Sequence, residues 1–382
     1  MSVGARHAGR RSDRSLRASS SVAASAVAFS TTAKVPLARI LAPSAKAIAR
    51  LASILKKGGV VGVPTETVYG LAANALDAEA CAEIFRVKDR PATDPLIVHV
   101  LALADAEAVA VFNDDARLLA RAFWPGPLTL VLPKRENIPA IVTSGLDSVA
   151  VRVPKHAVFR SLLKAAGVPL AAPSANPFGY ISPTTAKHVQ ESLGTRIAYV
   201  LDGGPCRVGV ESTIVDLRTP RTPRVLRPGM ITAEAISVVL GRPLSASRPR
   251  AKRPAAVRGE ASAGQVAPGL LERHYSPNTP LRLVKRIHDR DVVESEIGKR
   301  VAWLFFAKPK DIVSGRQKPH VYWLSQHASP AEAARALFRK LRQLDVRGYD
   351  TIVAERAPDS PEARALNDRL RRAAATRPGL VV

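Results

Sequence analysis

Cysteine is nearly absent. The 382 residues hold two, Cys81 and Cys206, whose spacing fits no metal-ligand or disulfide pattern. That argues against a disulfide-stapled scaffold or a cysteine zinc site and favours a reducing, cytoplasmic compartment. No run approaches about 18 consecutive apolar residues, so no membrane-spanning helix is expected. The Walker A, HExxH and GxSxG patterns are missing. No general base or covalent nucleophile stands out. Acids are scarce too: 32 Asp and Glu face 57 Lys and Arg, for a net charge of +25. Asp13 is the single acid of the first fifty-odd residues, and the segment from Arg242 to Arg258 is also basic. Much of the excess charge therefore falls in tail and linker sequence, which does not establish a dedicated nucleic-acid face.

What is present suits two α/β domains, on a scale of about 100–200 residues each. Residues 1–40 are rich in Ser, Ala and Arg without an apolar period, and are expected to be a disordered basic extension. Their composition also resembles an organelle transit peptide; a plain tail or an upstream translation start is the favoured reading. The pattern predicts helices over 44–57, 78–88, 114–123 and 159–166. It predicts strands over 60–63, 96–100, 128–132, 149–153, 170–172, 197–201 and 213–217. Residues 41–241 are assigned to this first domain. A Pro-, Arg- and Ala-rich stretch marks 242–278 as a linker. Strands at 301–307, 321–324 and 351–354 alternate with helices from Ser329 and Pro361, giving a smaller Rossmann-like α/β domain over 279–382. Ser329-Pro330-Ala331-Glu332 reads as a capping box. The phosphate-binding glycine fingerprint is absent.

The most informative stretch is Val63-Pro64-Thr65-Glu66-Thr67-Val68-Tyr69-Gly70-Leu71, which follows the apolar run Val60-Val61-Gly62. A strand end needs no such density of hydroxyls, and open α/β sheets bind ligands at strand carboxyl ends. Further along come Lys88-Asp89-Arg90-Pro91, Asp94-Pro95-Leu96-Ile97-Val98-His99, Pro173-Ser174-Ala175-Asn176, Gly209-Val210-Glu211-Ser212-Thr213, Arg227-Pro228-Gly229 and Arg273-His274-Tyr275-Ser276-Pro277. In this order they resemble the YrdC-like threonylcarbamoyl-AMP synthases, specifically the longer two-domain members. The resemblance implies a YrdC-like twisted mixed-sheet domain beside the smaller one. It implies a nucleotidyltransferase that condenses L-threonine, bicarbonate and ATP into threonylcarbamoyl-adenylate and pyrophosphate. Mg²⁺ accompanies the ATP, and the product goes to the tRNA threonylcarbamoyl-transfer machinery.

The same resemblance places Thr67, His99, Arg152, Ser174 and Ser212 on the threonine side. It places Lys88, Arg90, Asp94, Ser148, Asn176, Ser182, Arg227 and Tyr275 on the ATP side. Asp94 departs from the asparagine of many relatives, and a carboxylate there would repel phosphate. Arg152 lies inside an apolar strand, where a buried guanidinium demands an anionic partner; the substrate carboxylate is the expected one. Tyr275 is expected either to close over the site as a lid or to anchor the second domain. Two other readings compete. A double-stranded RNA-binding module, with a tRNA contact, would need cations but not Thr67, His99 and Ser174 together. A carbamoyl-handling domain of the hydrogenase-maturation type would bring zinc-finger cysteines, which are not evident.

Overall fold

Two β-sheets organise the chain. A computed structural model describes residues 36–244, 265–288, 292, 299–309 and 320–375. Residues 1–35 of the tail read at 1–40 and most of the low-complexity linker, 245–264, lie outside the described residues. No helix among the described residues is long and apolar enough to cross a membrane.

The first sheet comprises β1 (Arg39–Leu41), β2 (Val61–Val63), β3 (Gly70–Asn74), β4 (Ile97–His99), β5 (Leu128–Pro133), β6 (Ser148–Arg152), β7 (Leu170–Ala171), β8 (Tyr199–Leu201), β9 (Thr213–Asp216) and β10 (Arg224–Arg227). Their spatial order is β1-β8-β2-β3-β7-β4-β6-β5-β9-β10. The sheet is mixed: β4 runs parallel to β6 and β5 parallel to β9, while β5 and β6 are antiparallel. The strand at Arg39–Leu41 corrects the expectation that ordered structure begins at 41. Arg39 and Ile40 pair with Tyr199 and Val200. A three-residue edge strand is too short to register as a period in the sequence.

Helices α1 (Ala45–Lys56), α2 (Ala78–Lys88), α3 (Leu103–Glu107), α4 (Asp114–Phe123), α5 (Ala157–Ala166), α6 (Ala186–Leu193) and α7 (Ala233–Leu240) accompany this sheet. Ser44, Asp77, Asn113, Thr185 and Thr232 cap five of them by accepting first-turn backbone N–H groups, which satisfies donors the helix cannot. Alternate residues of a strand face opposite ways. Leu71 and Ala73 accordingly enter one core while Ala72 enters another with Leu51 and Leu55 of α1 and Phe159 and Leu162 of α5. Over β4, β6, β5 and β9 this second face is covered differently. There Ile97, Ala150, Val131 and Ile214 cluster with Val266, Ala267 and Leu270 of the linker. A non-helical cover over strand ends is the arrangement that positions a site.

The second sheet holds β11 (Leu281–Val284), β12 (Val301–Ala307), β13 (Val321–Ser325) and β14 (Thr351–Glu355), all parallel, in the order β11-β14-β12-β13. Helices α8 (Pro330–Asp345) and α9 (Arg364–Ala373) pack on it. Ser329 caps α8 by accepting from the Glu332 N–H, but the box is only half formed. The Ser329 N–H goes to Ser325 Oγ (2.9 Å), and the Glu332 carboxylate accepts from Ser325 Oγ and Gln326 N.

Both sheets belong to one compact unit. The core of the second, with Leu337, Phe338 and Leu341 of α8 and Leu366 and Leu370 of α9, includes Val68, Ile181, Val210 and Tyr275 from the other side. Gly209 permits this contact. Its φ is +82°, and a Cβ there would lie 2.4 Å from Arg335 Cα of α8, so any side chain would force the two parts apart.

Candidate active site

The site grows from the carboxyl ends of β2, β4 and β6. After β2 the chain turns through Thr65–Val68. Thr65 Oγ1 donates to Val68 O (2.6 Å) and accepts from the Thr67 and Val68 N–H groups. This hydroxyl-closed turn aims Thr67 inward, where its Oγ1 accepts from Arg152 Nη1 at 3.0 Å. His99 and Arg152 end neighbouring strands in direct register. Both share a face with Ile97 and Ala150 by the two-residue period.

Arg152 is buried and has a protein partner that the sequence reading did not assign. Glu66 Oε1 lies 2.7 Å from its Nη2 and also accepts from the Lys155 N–H. Burial pushes the Glu66 carboxyl up, but the Arg152 charge and hydrogen bond outweigh it and hold the group below its usual range. A threonine carboxylate would therefore meet a guanidinium already half committed. His99 is driven down to about 3, first by burial and then by the Arg152 charge, so its imidazole is neutral and offers hydrogen bonding rather than charge.

The other end is cationic. Lys88, the last residue of α2, is fully buried and donates to Ser174 O (2.5 Å) and Asn176 O. Burial, then the neighbouring Arg90 charge, depresses its ammonium well below its ordinary value. Arg90 donates to the carbonyls of Asp94 and Pro95 and pairs with the Asp94 carboxylate at 2.9 Å. Asp94 thus stands behind Arg90 and does not line the cavity, which gives this departure a structural role: it orients the guanidinium. Arg227, at the end of β10, donates to Ser212 O, Ser212 Oγ and Pro268 O. Ser212 Oγ lies 2.8 Å from Thr129 Oγ1.

One cavity joins these groups. Of the residues singled out from sequence, Thr67, Arg90, His99, Arg152, Ser174, Ser212, Arg227 and Tyr275 line it. Lys88, Asp94, Ser148, Asn176 and Ser182 do not. Ser148 sits at the opposite end of β6 from Arg152, about 13 Å away at roughly 3.3 Å per residue. Asn176 Nδ2 is spent on Pro177 O and Tyr180 O. Ser182 Oγ donates to Glu211 Oε1 at 2.6 Å.

Glu211 lines the cavity and was missed, as was the residue that holds it. Arg369 of α9, wholly buried, donates to Glu211 Oε2 (2.8 Å) and to Pro228 O, and its guanidinium lies 5.3 Å from the Tyr275 ring centroid. Tyr275 also packs on Phe338 of α8 (5.5 Å) and His274 (4.1 Å). It both lines the cavity and anchors the second sheet, so the two expectations for it are not exclusive. Its φ of +63° is a left-handed conformation uncommon for an aromatic residue. Gly269 (φ +74°) lies so close that a Cβ would meet Tyr275 Oη at 2.7 Å. The open space left beneath the linker is about 50 Å³, against about 300 Å³ or more for an ordinary small-molecule site. A nucleotide would not fit that space with the segment Pro268–Tyr275 where it lies.

Burial also lowers His156, His188 and His274. An unfolded histidine titrates near 6.5. Between about pH 6.5 and 4.5 the unfolded chain takes up protons that the folded chain refuses, so stability falls as pH falls. Glu66, Asp216 and Asp368, all held low, add their losses only at lower pH. The urea midpoint is expected to drop measurably between pH 6.5 and 5, and the His99→Gln variant to show a shallower slope. A flat midpoint across that window would contradict neutral, buried histidines.

Comparison with known proteins places the site in context. The Sua5–YciO–YrdC family profile, described as telomere recombination, matches residues 53–229. The profile described as the threonylcarbamoyl-AMP synthase C-terminal domain matches residues 231–375. The threonylcarbamoyl-AMP synthase of Pyrococcus abyssi is 41% identical over 330 residues, covering 85% of this chain and 93% of that protein. That of Bacillus subtilis is 37% identical over 336 residues, covering 86% and 93%. The crystal structure of P. abyssi Sua5 complexed with L-threonine superposes with a TM-score of 0.77 at 38% identity, covering 88% of this chain and 97% of that one.

Proposed function

The chain belongs to the two-domain Sua5/YrdC family of threonylcarbamoyl-AMP synthases, and from that premise we propose how its cavity carries out the reaction. L-Threonine and bicarbonate lose water to give the N-carboxylate. That carboxylate then displaces pyrophosphate from the α-phosphorus of ATP, giving threonylcarbamoyl-adenylate. The observation that carries this reading is the polarity of the one cavity. A compact polar end of Thr67, His99, Arg152 and Ser174 is continuous with a cationic end of Arg90 and Arg227, Lys88 lying behind. The first end suits a small zwitterion: Arg152 meets its carboxylate, and neutral His99 and Thr67 supply hydrogen bonds. The second suits a polyphosphate, which planar Arg forks bind bidentately.

No step requires a protein nucleophile. Proximity and charge stabilisation of the leaving pyrophosphate suffice. Mg²⁺ enters with ATP as part of that substrate. The product is handed to the tRNA threonylcarbamoyl-transfer machinery. The RNA-binding alternative leaves the buried Thr67–Arg152–Glu66 cluster without a use.

A carbamate is labile in water, so enclosure matters. The linker bearing Gly269 and Tyr275 is the closing element. Tyr275→Ala is expected to lower product formed per ATP consumed at least severalfold and, because the ring is buried against Phe338 and His274, to lower the melting temperature as well. Full coupling retained in a protein that melts far lower would show Tyr275 to be an anchor alone. The reading as a whole is tested by pyrophosphate exchange into ATP, which should require both threonine and bicarbonate.

A further inference from the structure

A second cavity, of about 860 Å³, opens on the far side of the loop that carries Ser182, between α6 and α8. Lys187, Arg339 and Arg342 line it, against one lining carboxylate, Glu191. Arg342 is the unusual member. It is buried, yet its donors end on neutral acceptors: Ile181 O, Ser182 O and Ser192 Oγ (2.9 Å). Its guanidinium lies over the Tyr180 ring at 5.0 Å. The nearby acids, Glu191 and Asp345, attract it from a distance, but neither pairs with it directly. Asp345 accepts from Tyr180 Oη and the Thr279 N–H, both at 2.8 Å, and Glu191 reaches Lys187 at 3.9 Å. A buried cation with no direct ion pair among the described residues is costly, and a bound anion would offset that cost. His188 accepts the Thr184 N–H at Nδ1 (3.2 Å), which leaves its Nε2–H as a donor. Burial and the charges of Arg342, Arg339 and Lys187 keep that ring neutral, with its pKa down at about 4.

We propose that this cleft binds a second ligand bearing a di- or triphosphate group, held by Lys187, Arg339 and Arg342. The volume lies within the range of ordinary ligand sites and exceeds what a bare phosphate chain needs, so a nucleoside polyphosphate fits as well as free pyrophosphate. Ser182 lies between the two cavities. Ser182 gives its carbonyl to Arg342 and its hydroxyl to Glu211, which lines the active cavity. The inference depends on this cleft alone and stands apart from the proposed reaction.

The test is calorimetric titration of the full chain with inorganic pyrophosphate, tripolyphosphate and ATP. Two binding events per chain are expected for wild type. In the exposed pair variant K187E/R339E one event should weaken at least tenfold. Its melting temperature and its threonine-dependent ATP turnover without added pyrophosphate should stay unchanged, whereas K187R/R339K should retain both events. ATP binding the second site at least tenfold more tightly than tripolyphosphate would identify a nucleotide as occupant; equal binding would identify the free phosphate chain. Undiminished binding in K187E/R339E, whether wild type shows one event or two, would overturn the proposal.

Discussion

Arg152→Met is expected to unfold several kcal/mol more easily than wild type and to lose threonine affinity. The two losses have separable causes. The first arises because Glu66 would remain buried 2.7 Å from a missing cation. Removing one partner of a buried pair costs about 3–5 kcal/mol. The second follows from the proposed contact of the threonine carboxylate with Arg152, a charge-assisted bond of about 1.5–3 kcal/mol that the variant would lose. The double variant Arg152→Met/Glu66→Gln separates them. It removes the stranded charge and should recover most of the stability while threonine binding stays weak. ATP binding, proposed for the Arg90 and Arg227 end, should change far less in either variant. Equal weakening of both ligands, or recovery of threonine affinity in the double variant, would show that Arg152 is only Glu66's structural partner. Denaturant unfolding and separate ligand titrations provide these measurements.

Arg369→Met is expected to be the most damaging substitution outside the cavity's own lining. Its guanidinium holds Glu211 and Pro228 O and covers the Tyr275 ring. Asp368 keeps Arg371 and Arg372 as partners, so the stranded charge is that of Glu211, at about 3–5 kcal/mol. At temperatures where the variant remains folded, turnover should still fall at least tenfold, because Glu211 and Tyr275 both line the cavity. Arg369→Lys keeps the charge but cannot make the forked contacts, and should rescue stability more than turnover. A double-mutant cycle with Glu211→Gln should show a coupling of roughly 0.5–3 kcal/mol. Additive effects with wild-type turnover would mean that the second sheet contributes nothing to the site.

Much of this architecture is written locally. The helices from Ser44, Asn113 and Ser329 carry a cap and an apolar stripe in sequence, and each forms within a residue or two of the expected place. Strands of five to seven residues, such as Val301–Ala307, were legible for the same reason. The strand at Gly70–Asn74 was not. Its start falls within the hydroxyl-rich stretch, and its Gly-Leu-Ala-Ala-Asn sequence lacks β-branched residues. Helices α3, α6 and α7, the last two with Thr185 and Thr232 caps, and strands β1, β10 and β11 were also passed over.

The site was half legible. His99 and Arg152 converge because they end adjacent strands, a pattern that sequence order foreshadows, while Arg90 arrives from the end of α2 and Tyr275 from the linker. Their pairings do not show in sequence. Glu66 and Arg152 come together across the sheet, and Glu211 and Arg369 are 158 residues apart. The buried arginine in β6 did signal that an anion must be near; the sequence could not say that the protein itself supplies one. Asp94 shows the reverse: a carboxylate that looked unsuited to phosphate is neutralised by Arg90.

The central claim is that one cavity joins threonine, bicarbonate and ATP. The most direct measurement incubates the purified chain with ATP, L-threonine and ¹³C-bicarbonate and examines the products by mass spectrometry. The account predicts an adenylate that carries both the threonine and the ¹³C label, formed in step with pyrophosphate and absent when any one of the three substrates is left out. Pyrophosphate release with no label in the adenylate, or an adenylate formed without bicarbonate, would contradict it.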